Sequence, residues 1–373
     1  MSFDPIRAKM TAGGCSPSAI SAFEATFNSL SSGATGQIPE STIGPSPDLM
    51  HYDDIEAKAD VELLTTFNSL SSGATGQIPE STIGPSPDLM HYDDIEAKAD
   101  VELLSETVVL KLNGGLGTGM GLDKAKSLLK VKGEDTFLDL AAKQIMDMKT
   151  KYGDVKFMLM NSFSTSKDTM DYLEKRYPSL VDGLEMMQNK VPKLDATTFE
   201  PATCPTNPDN EWCPPGHGDL YAALVGSGAL DSLLSKGIKY MSVSNSDNLG
   251  ATMDLSLLSH FAATDAPFMM ECCVRTENDK KGGHLASRNS DSQLILRESA
   301  MCAEEDEKEF QNIDKYKYFN TNNLWIRLDK LKEIVSKFGG FIPLPMIKNK
   351  KTVDPKDDQS QKVIQLETGK KNQ

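Results

Sequence analysis

The sequence predicts an α/β fold in which helices flank a mixed, mostly parallel β-sheet. Along residues 107–338, short apolar runs with the composition of buried strands alternate with amphipathic helical segments. One of these runs, VVL at 108–110, leads into a turn with five glycines in eight residues, 114–121. In open α/β sheets, ligands bind at the carboxyl ends of the strands. We therefore expect the functional residues in the loops that follow the strands.

The predicted elements alternate in chain order after the glycine-rich turn. The predicted strands are 155–160, 184–188, 239–244, 268–275, 293–297 and 319–325. The predicted helices are 136–149, 164–177, 219–235, 255–263 and 329–338. Ser164 or Thr165 is the expected N-cap of the helix at 164–177, because side-chain oxygens of Ser and Thr accept hydrogen bonds from free amides in the first helical turn.

Residues 1–106 form a predicted N-terminal region of helix and loop. A short helix is expected after the Gly13-Gly14 turn signal, with Ser16 as its N-cap and Pro17 as its first residue. It is expected to reach about Phe27.

The same region contains an exact internal repeat. Residues 66–104 repeat residues 26–64 letter for letter. Two copies are too few for a solenoid, and structural repeats drift in sequence, so identity indicates a recent duplication or an error in assembly of the reading frame. The Gly-, Pro- and Ser-rich middle of the unit predicts a loop. We expect one copy to pack on the domain and the other to be extruded or poorly ordered.

Composition restricts the class of protein. With 39% hydrophobic and 25% charged residues, the chain resembles soluble globular proteins. It has no apolar run long enough for a bilayer and no secretory signal pattern at its start. The formal charge of −15 argues against nucleic acid or an anionic membrane as a partner. Six cysteines without CxxC spacing indicate free thiols and a reducing, cytoplasmic location.

The glycine-rich turn can cradle a phosphate, because glycine has no Cβ to keep backbone N–H groups away from it. It does not match two common nucleotide fingerprints. A Walker A loop ending at Lys126 would need glycine at positions 120 and 125, where Met120 and Ala125 stand. A Rossmann GxGxxG starting at position 115 or 117 fails at Met120 or Leu122.

The pattern LNGGLGTGMG followed by KAKS instead resembles the nucleotide loop of the UDP-glucose pyrophosphorylase (UTP–glucose-1-phosphate uridylyltransferase) family. The resemblance continues, in the family's order, through LMNSFSTSKDT (159–169), QNKVPKL (188–194), CPPGHGDLY (213–221), SNSDNLGATMD (244–254), KGGHL (281–285), FNTNNLWI (319–326), LPMI (344–347) and VIQLET (363–368). It implies a Rossmann-like, glycosyltransferase-A-like nucleotidyltransferase domain over residues 107–350.

The resemblance also implies that residues 351–373 are an incomplete C-terminal end of that domain. In the family, VIQLET is followed by a segment with a second phosphate-binding lysine and commonly by a left-handed β-helix domain. Neither is matched here, so we expect half of the charge clamp to be missing and the activity of this chain to be reduced or lost.

The implied reaction makes UDP-glucose and pyrophosphate from UTP and glucose 1-phosphate, with Mg²⁺ as cofactor. The attacking phosphate is already ionised, so no general base is needed, and the protein positions the groups and neutralises developing charge. Two alternatives stay open: a broader UDP-sugar or UDP-N-acetylhexosamine pyrophosphorylase, and a non-catalytic nucleotide-binding remnant. The motifs GHGDLY and FNTNNLW favour glucose 1-phosphate as the sugar substrate.

Site residues follow from the matched positions. Those implied for the nucleotide are Leu112, Asn113, Gly114, Gly115, Lys126, Gln188, Gly216 and Asp247. Lys126 is the implied catalytic residue because it matches the lysine on the UTP phosphates, and Lys124 fits a solvated surface lysine. Gln188 and Gly216 match positions that read uracil, and Asp247 is the implied Mg²⁺ ligand.

The hexose side of the site is implied by other motifs. The residues implied for the sugar or its phosphate are His217, Asn245, Gly283 and Asn320, with Asn322 in the same motif as Asn320. The remaining histidines and the tryptophans are expected to be structural: His51, His91, His260, His284, Trp212 and Trp325.

Overall fold

The structure is a computed structural model that describes residues 2–31, 78, 80–116, 124–292, 294–342, 344 and 346–368. Several positions named above lie outside the described residues: Gly117, Gly119, Gly121, Met120, Leu122, His51, Gln293, residues 32–64 of the first repeat copy, and residues 66–77 and 79 of the second.

The described strands are β1 Ile83–Gly84, β2 Thr107–Asn113, β3 Lys130–Lys132, β4 Asp135–Thr136, β5 Lys156–Asn161, β6 Glu185–Met187, β7 Val191–Pro192, β8 Leu194–Asp195, β9 Trp212–Cys213, β10 Tyr240–Asn245, β11 Phe268–Val274, β12 His284–Arg288, β13 Leu294–Arg297, β14 Tyr318–Arg327, β15 Met346–Thr352 and β16 Lys362–Thr368. The described α-helices are α1 Asp4–Ala12, α2 Pro17–Ser31, α3 Phe137–Tyr152, α4 Ser166–Arg176, α5 Asp219–Gly226, α6 Ala229–Ser235, α7 Leu255–Thr264, α8 Glu307–Phe310 and α9 Leu328–Lys337.

The main sheet is mixed and, within the described residues, has nine strands. Its parallel part runs β10-β2-β5-β6. On the other side of β10 the pairing is antiparallel, through β14 to β11 and β12, and from β12 to β1 and β13. The predicted α/β class with helices flanking a mixed sheet is confirmed. The strand before the glycine-rich turn, β2, lies at the centre of the parallel part.

β2 is buried along its whole length because both faces of the sheet are covered. Side chains alternate between the faces of a strand. Accordingly, Val108, Leu110 and Leu112 pack in one apolar core with α5, α6 and α9, whereas Val109 packs in a second core with α3, α4 and α7. Two-sided packing fixes the end of β2, and with it the start of the turn.

The N-terminal helices cover a smaller sheet of strand order β15-β16-β8. α2 starts at Pro17 as predicted, with the Ser16 hydroxyl accepting from the Ala19 amide at 3.2 Å. It continues past Phe27 because Leu30 is also buried. α1 was not predicted, although Pro5 in its first turn and the buried pair Ile6 and Met10, one turn apart, are helix signals.

Two predicted elements were wrong in detail. The helix expected at 219–235 is two helices, α5 and α6, separated by Gly228 with φ +73°; this left-handed conformation interrupts the helix. Thr165 occupies the N-cap position of α4 without capping it. Its hydroxyl instead donates to the carbonyl of Asn113 at 2.7 Å, which ties α4 to the end of β2.

The second repeat copy packs on the sheet through Glu80 and β1. β1 lies inside the segment expected to be a loop, and it pairs with β12. The Glu80 carboxylate accepts from Arg297 Nη1 at 2.6 Å and also binds Lys315 and the Tyr316 hydroxyl. The Arg297 side chain is fully buried, so this ion pair lies inside the fold.

Pairing crosses both predicted domain boundaries, because β1 joins the main sheet and β16 pairs with β8. The division at residues 106 and 350 stays a prediction about the sequence. Within the described ranges, none of the helices has the length and apolar character that crossing a bilayer requires.

Candidate active site

The carboxyl ends of β2 and β10 bring two predicted motifs together. In the parallel register Leu112 lies opposite Asn245, and the Ser246 amide donates to the Leu112 carbonyl at 3.0 Å. These residues are far apart in the sequence, so the sheet itself builds the site. Both motifs leave the sheet at the same edge, as expected for a ligand site in an α/β fold.

Asn113 holds that edge together with its side chain. Its Nδ2 donates to Asn161 Oδ1 at 2.7 Å and to the Thr169 hydroxyl at 2.9 Å, and its Oδ1 accepts from the Ser246 hydroxyl at 3.0 Å. The side chain is buried. These contacts join β2 to β5, to α4 and to the loop after β10. The resemblance implies that Asn113 binds the nucleotide. In this structure its side chain instead hydrogen-bonds to other residues of the protein.

Gly114, Gln188 and Gly216 form one compact group. The Gln188 Nε2 donates to the Gly216 carbonyl at 2.9 Å. A Cβ on Gly114 would lie 2.4 Å from the Gln188 Oε1, so only glycine lets the amide approach the turn. Gln188 is 7% exposed, and Gly216 has φ +85°, a conformation that favours glycine. The two residues implied for uracil are therefore adjacent and packed against the start of the turn.

The other end of the turn comes back to its start at Lys126. The Lys126 amide donates to the Gly115 carbonyl at 3.2 Å. Its ammonium lies 2.5 Å from Asp247 Oδ2, and the two side chains are 43% and 26% exposed. The implied catalytic lysine and the implied metal ligand thus form one solvent-accessible ion pair.

The predicted hexose residues other than His217 are connected by hydrogen bonds that start at Asn245, two residues before Asp247. Asn322 donates from Nδ2 to Asn245 Oδ1 at 2.7 Å, and its amide donates to Asn320 Oδ1 at 2.8 Å. The Asn320 amide in turn donates to the Gly283 carbonyl at 3.3 Å. Asn322 has φ +63°, which is uncommon for a residue other than glycine. Asn322 lies in the middle of β14, where the register of its pairing with β11 shifts between Glu271 and Cys272.

His217 is exposed in the loop between Gly216 and α5. That loop is fastened to β16, since the Thr368 amide donates to the Pro215 carbonyl at 2.8 Å and the Gly218 amide donates to the Thr368 carbonyl at 3.1 Å. Of the residues expected to be structural, Trp325 and His284 are fully buried.

Sequence reasoning missed two buried charged residues at the site. Asp219 accepts from the amide and the side chain of Asn189 at 2.8 and 2.9 Å, which fixes the backbone next to Gln188. Burial raises the pKa of Asp219 to about 7, against those hydrogen bonds. Lys111 lies inside β2. The signal was present: a lysine within the apolar run VVLKL requires a buried partner.

The structure also limits the number of protein side chains that could bind a metal ion. Over the described ranges, no group of three or more His, Cys, Asp and Glu side chains could hold a metal ion by itself. Mg²⁺ is commonly held by one or two carboxylates together with substrate phosphates and water. Asp247, with its accessible carboxylate, fits a site of that kind.

The mixed sheet carries a glycine-rich turn, a buried amide and an accessible lysine–aspartate pair at its carboxyl edge. This arrangement defines a nucleotidyltransferase-like α/β domain. The family model described as UTP–glucose-1-phosphate uridylyltransferase matches residues 64–371. The chain therefore belongs to the UTP–glucose-1-phosphate uridylyltransferase family, and the predicted family is confirmed.

Two curated relatives carry that name. The chain is 44% identical over 263 residues to the protein of Solanum tuberosum, and 42% identical over 268 residues to that of Saccharomyces cerevisiae. The alignments cover 70% and 71% of this chain, and 53% and 52% of those proteins. The chain thus spans about half the length of the curated relatives it matches.

Solved structures agree with this assignment. The chain superposes on the UDP-glucose pyrophosphorylase of Leishmania major with a TM-score of 0.84 and 42% identity, covering 99% of this chain and 72% of that one. A mutant of that enzyme in complex with UDP-glucose gives a TM-score of 0.83, covering 98% and 71%. The roles assigned above to individual site residues stay predictions.

Proposed function

We propose that this site forms UDP-glucose and pyrophosphate from UTP and glucose 1-phosphate, with Mg²⁺ as cofactor. The observation that carries the proposal is the Lys126–Asp247 pair, which stands at the carboxyl edge of the sheet beside the Gln188–Gly216 group. An ammonium and an accessible carboxylate, the kind of group that holds Mg²⁺, lie next to the start of the turn, since the Lys126 amide donates to the Gly115 carbonyl. Family membership and the UDP-glucose complex of the Leishmania major enzyme support the substrates.

Each group has a task in this proposal. Gln188 and Gly216 hold the uracil through amide and backbone groups, which present donors and acceptors in fixed positions. Lys126 neutralises charge on the transferring phosphoryl group, and this kind of electrostatic stabilisation is a major part of phosphoryl-transfer catalysis. Asn245 and Asn320 bind the hexose. Mg²⁺ supplies further charge neutralisation when Asp247 holds it.

A cytoplasmic location is part of the same proposal. All six cysteines lie in the described part of the chain, and each is a free thiol. Free thiols throughout fit a reducing compartment.

The test measures pyrophosphate release from UTP and glucose 1-phosphate by the 373-residue chain. We expect Lys126→Met to lower kcat/KM by about 100-fold or more, as losing one charge-stabilising group typically does. Lys124→Met is the matched control, since Lys124 is an exposed lysine two positions away, and it should stay within about twofold. EDTA should abolish turnover and added Mg²⁺ should restore it. Equal losses in the two variants would contradict the role of Lys126.

Two further outcomes are informative. UTP that raises the melting temperature without any turnover would instead support a nucleotide-binding remnant. Competition among sugar 1-phosphates separates a glucose-specific enzyme from a broader UDP-sugar pyrophosphorylase.

A further inference from the structure

Lys111 is a charged residue in the middle of a buried strand. It is 4% exposed, and every residue of β2 is buried. An ammonium in such a place requires hydrogen-bond acceptors. Its Nζ donates to the Ser244 hydroxyl and to the Ala251 carbonyl, each at 2.7 Å. Burial lowers its pKa to about 8, and the Glu271 carboxylate opposes that shift.

The two acceptors of Lys111 stand on either side of Asp247. Ser244 belongs to the end of β10, and Ala251 lies beyond the loop 246–250 that carries Asp247. One ammonium therefore bonds to both ends of this loop. Lys111 lies on the same face of β2 as Asn113, since residues two apart in a strand share a face. Asn113 contacts the loop in a similar way through Ser246.

The loop is also held from the neighbouring elements. Asn248 donates to Asn323 Oδ1 at 3.3 Å, and Asn323 donates to Glu271 Oε2 at 3.1 Å. Gln144 of α3 donates to the Leu249 carbonyl at 3.1 Å. The bonds from the Lys111 ammonium are charge-assisted, and such hydrogen bonds are about twice as strong as neutral ones such as those from Asn248 and Gln144.

We propose that Lys111 is a positioning residue, which fixes the loop 246–251 so that the Asp247 carboxylate faces Lys126. Its consequence for catalysis rests on the proposed function; its consequence for the loop does not.

Lys111→Met separates this role from a general contribution to the core. Methionine keeps the length and apolar stem of lysine, so the change removes the desolvation cost of the ammonium together with its hydrogen bonds to two neutral acceptors. The Ala251 carbonyl, however, loses its donor. We therefore expect a small shift in melting temperature together with a clear loss of order in the loop.

Amide hydrogen exchange in peptides covering 244–254 gives the readout in the free chain. The amides of Ser246, Asn248 and Ala251 donate to the carbonyls of Leu112, Asn245 and Asn248, so their exchange reports opening of the loop. In Lys111→Met we expect these amides to exchange about five to ten times faster. Lys193→Met is the matched control, because Lys193 is also 4% exposed and donates to one carbonyl, that of Val353, at 2.8 Å.

Faster exchange in Lys111→Met and unchanged exchange in Lys193→Met would support the proposal. Unchanged exchange in Lys111→Met, or the same increase in both variants, would overturn it. These results need no turnover, so they are independent of the proposed function. Where the parent chain is active, Lys111→Met should lower kcat more than it changes the KM for UTP, because the bond between Gln188 and Gly216 that holds the residues implied for uracil does not involve Lys111.

Discussion

Replacing Glu80 by alanine should destabilise the fold, whereas the same change at Glu40 should not. The two residues have identical neighbours in sequence, because they occupy equivalent positions in the two repeat copies. Glu80 packs on the sheet as described above, and Glu40 lies outside the described residues. The pair of variants therefore asks which copy supplies the carboxylate to Arg297.

The magnitude follows from the groups that Glu80 leaves behind. Arg297, Lys315 and the Tyr316 hydroxyl all lose an acceptor. Removing one partner of a buried ion pair typically costs 3–5 kcal/mol. We take the lower end, about 3 kcal/mol, because Arg297 keeps Asp306 at 3.0 Å. For a cooperative unit of roughly 300 residues this corresponds to a fall in melting temperature of about 5 °C.

Thermal unfolding followed by circular dichroism is a sufficient assay, with Glu40→Ala measured beside Glu80→Ala. Equal shifts in the two variants would show that either copy can dock, and a shift below about 1 °C in Glu80→Ala would refute the buried ion-pair reasoning. Arg297→Lys is a useful third variant, since one ammonium cannot reproduce the two-sided contact of a guanidinium with Glu80 and Asp306.

Two further predictions concern the Gln188–Gly216 group and the neighbouring Asp219. Gly114→Ala should weaken the UTP-induced rise in melting temperature, by about 1–2 kcal/mol of binding, because the new Cβ would lie 2.4 Å from the Gln188 Oε1 and displace the amide. The pKa of Asp219 is raised to about 7 in the folded chain. Between pH 4 and 7 the Asp219 carboxyl is therefore protonated in the folded chain and ionised in the unfolded chain. The free energy of unfolding contributed by this group accordingly falls as the pH rises from 4 to 7. Asp219→Asn should flatten the fall by about 3–4 kcal/mol in urea unfolding at pH 4 and 7, and an unchanged pH dependence would contradict the assignment.

The parallel part of the sheet could be predicted because its strands carry their own signal. β2, β5 and β10 are apolar runs bounded by turn residues, and their burial on both faces requires that composition. β1 could not be predicted in the same way. Its two residues lie in a Gly- and Pro-rich stretch and become a strand only by pairing with Ser287 and Arg288 of β12.

The site divides along the same line. Resemblance selected Gln188, Gly216, Lys126 and Asp247, and the structure brings them together in two pairs. The resemblance could not show that the Asn113 side chain makes three hydrogen bonds to neighbouring elements of the protein. Those bonds follow from three-dimensional contacts and not from residue type.

The two backbone bonds between Thr368 and the loop at Pro215 and Gly218 have a mechanical consequence. They extend the three-stranded sheet by the loop, so the loop moves independently of β16 only if both bonds break. Strand and loop should then open as one cooperative unit with a single opening free energy. The stability of β16, at the far end of the described chain, therefore contributes to the stiffness of the segment that presents His217, beside the bonds from Gln188 and Asn189.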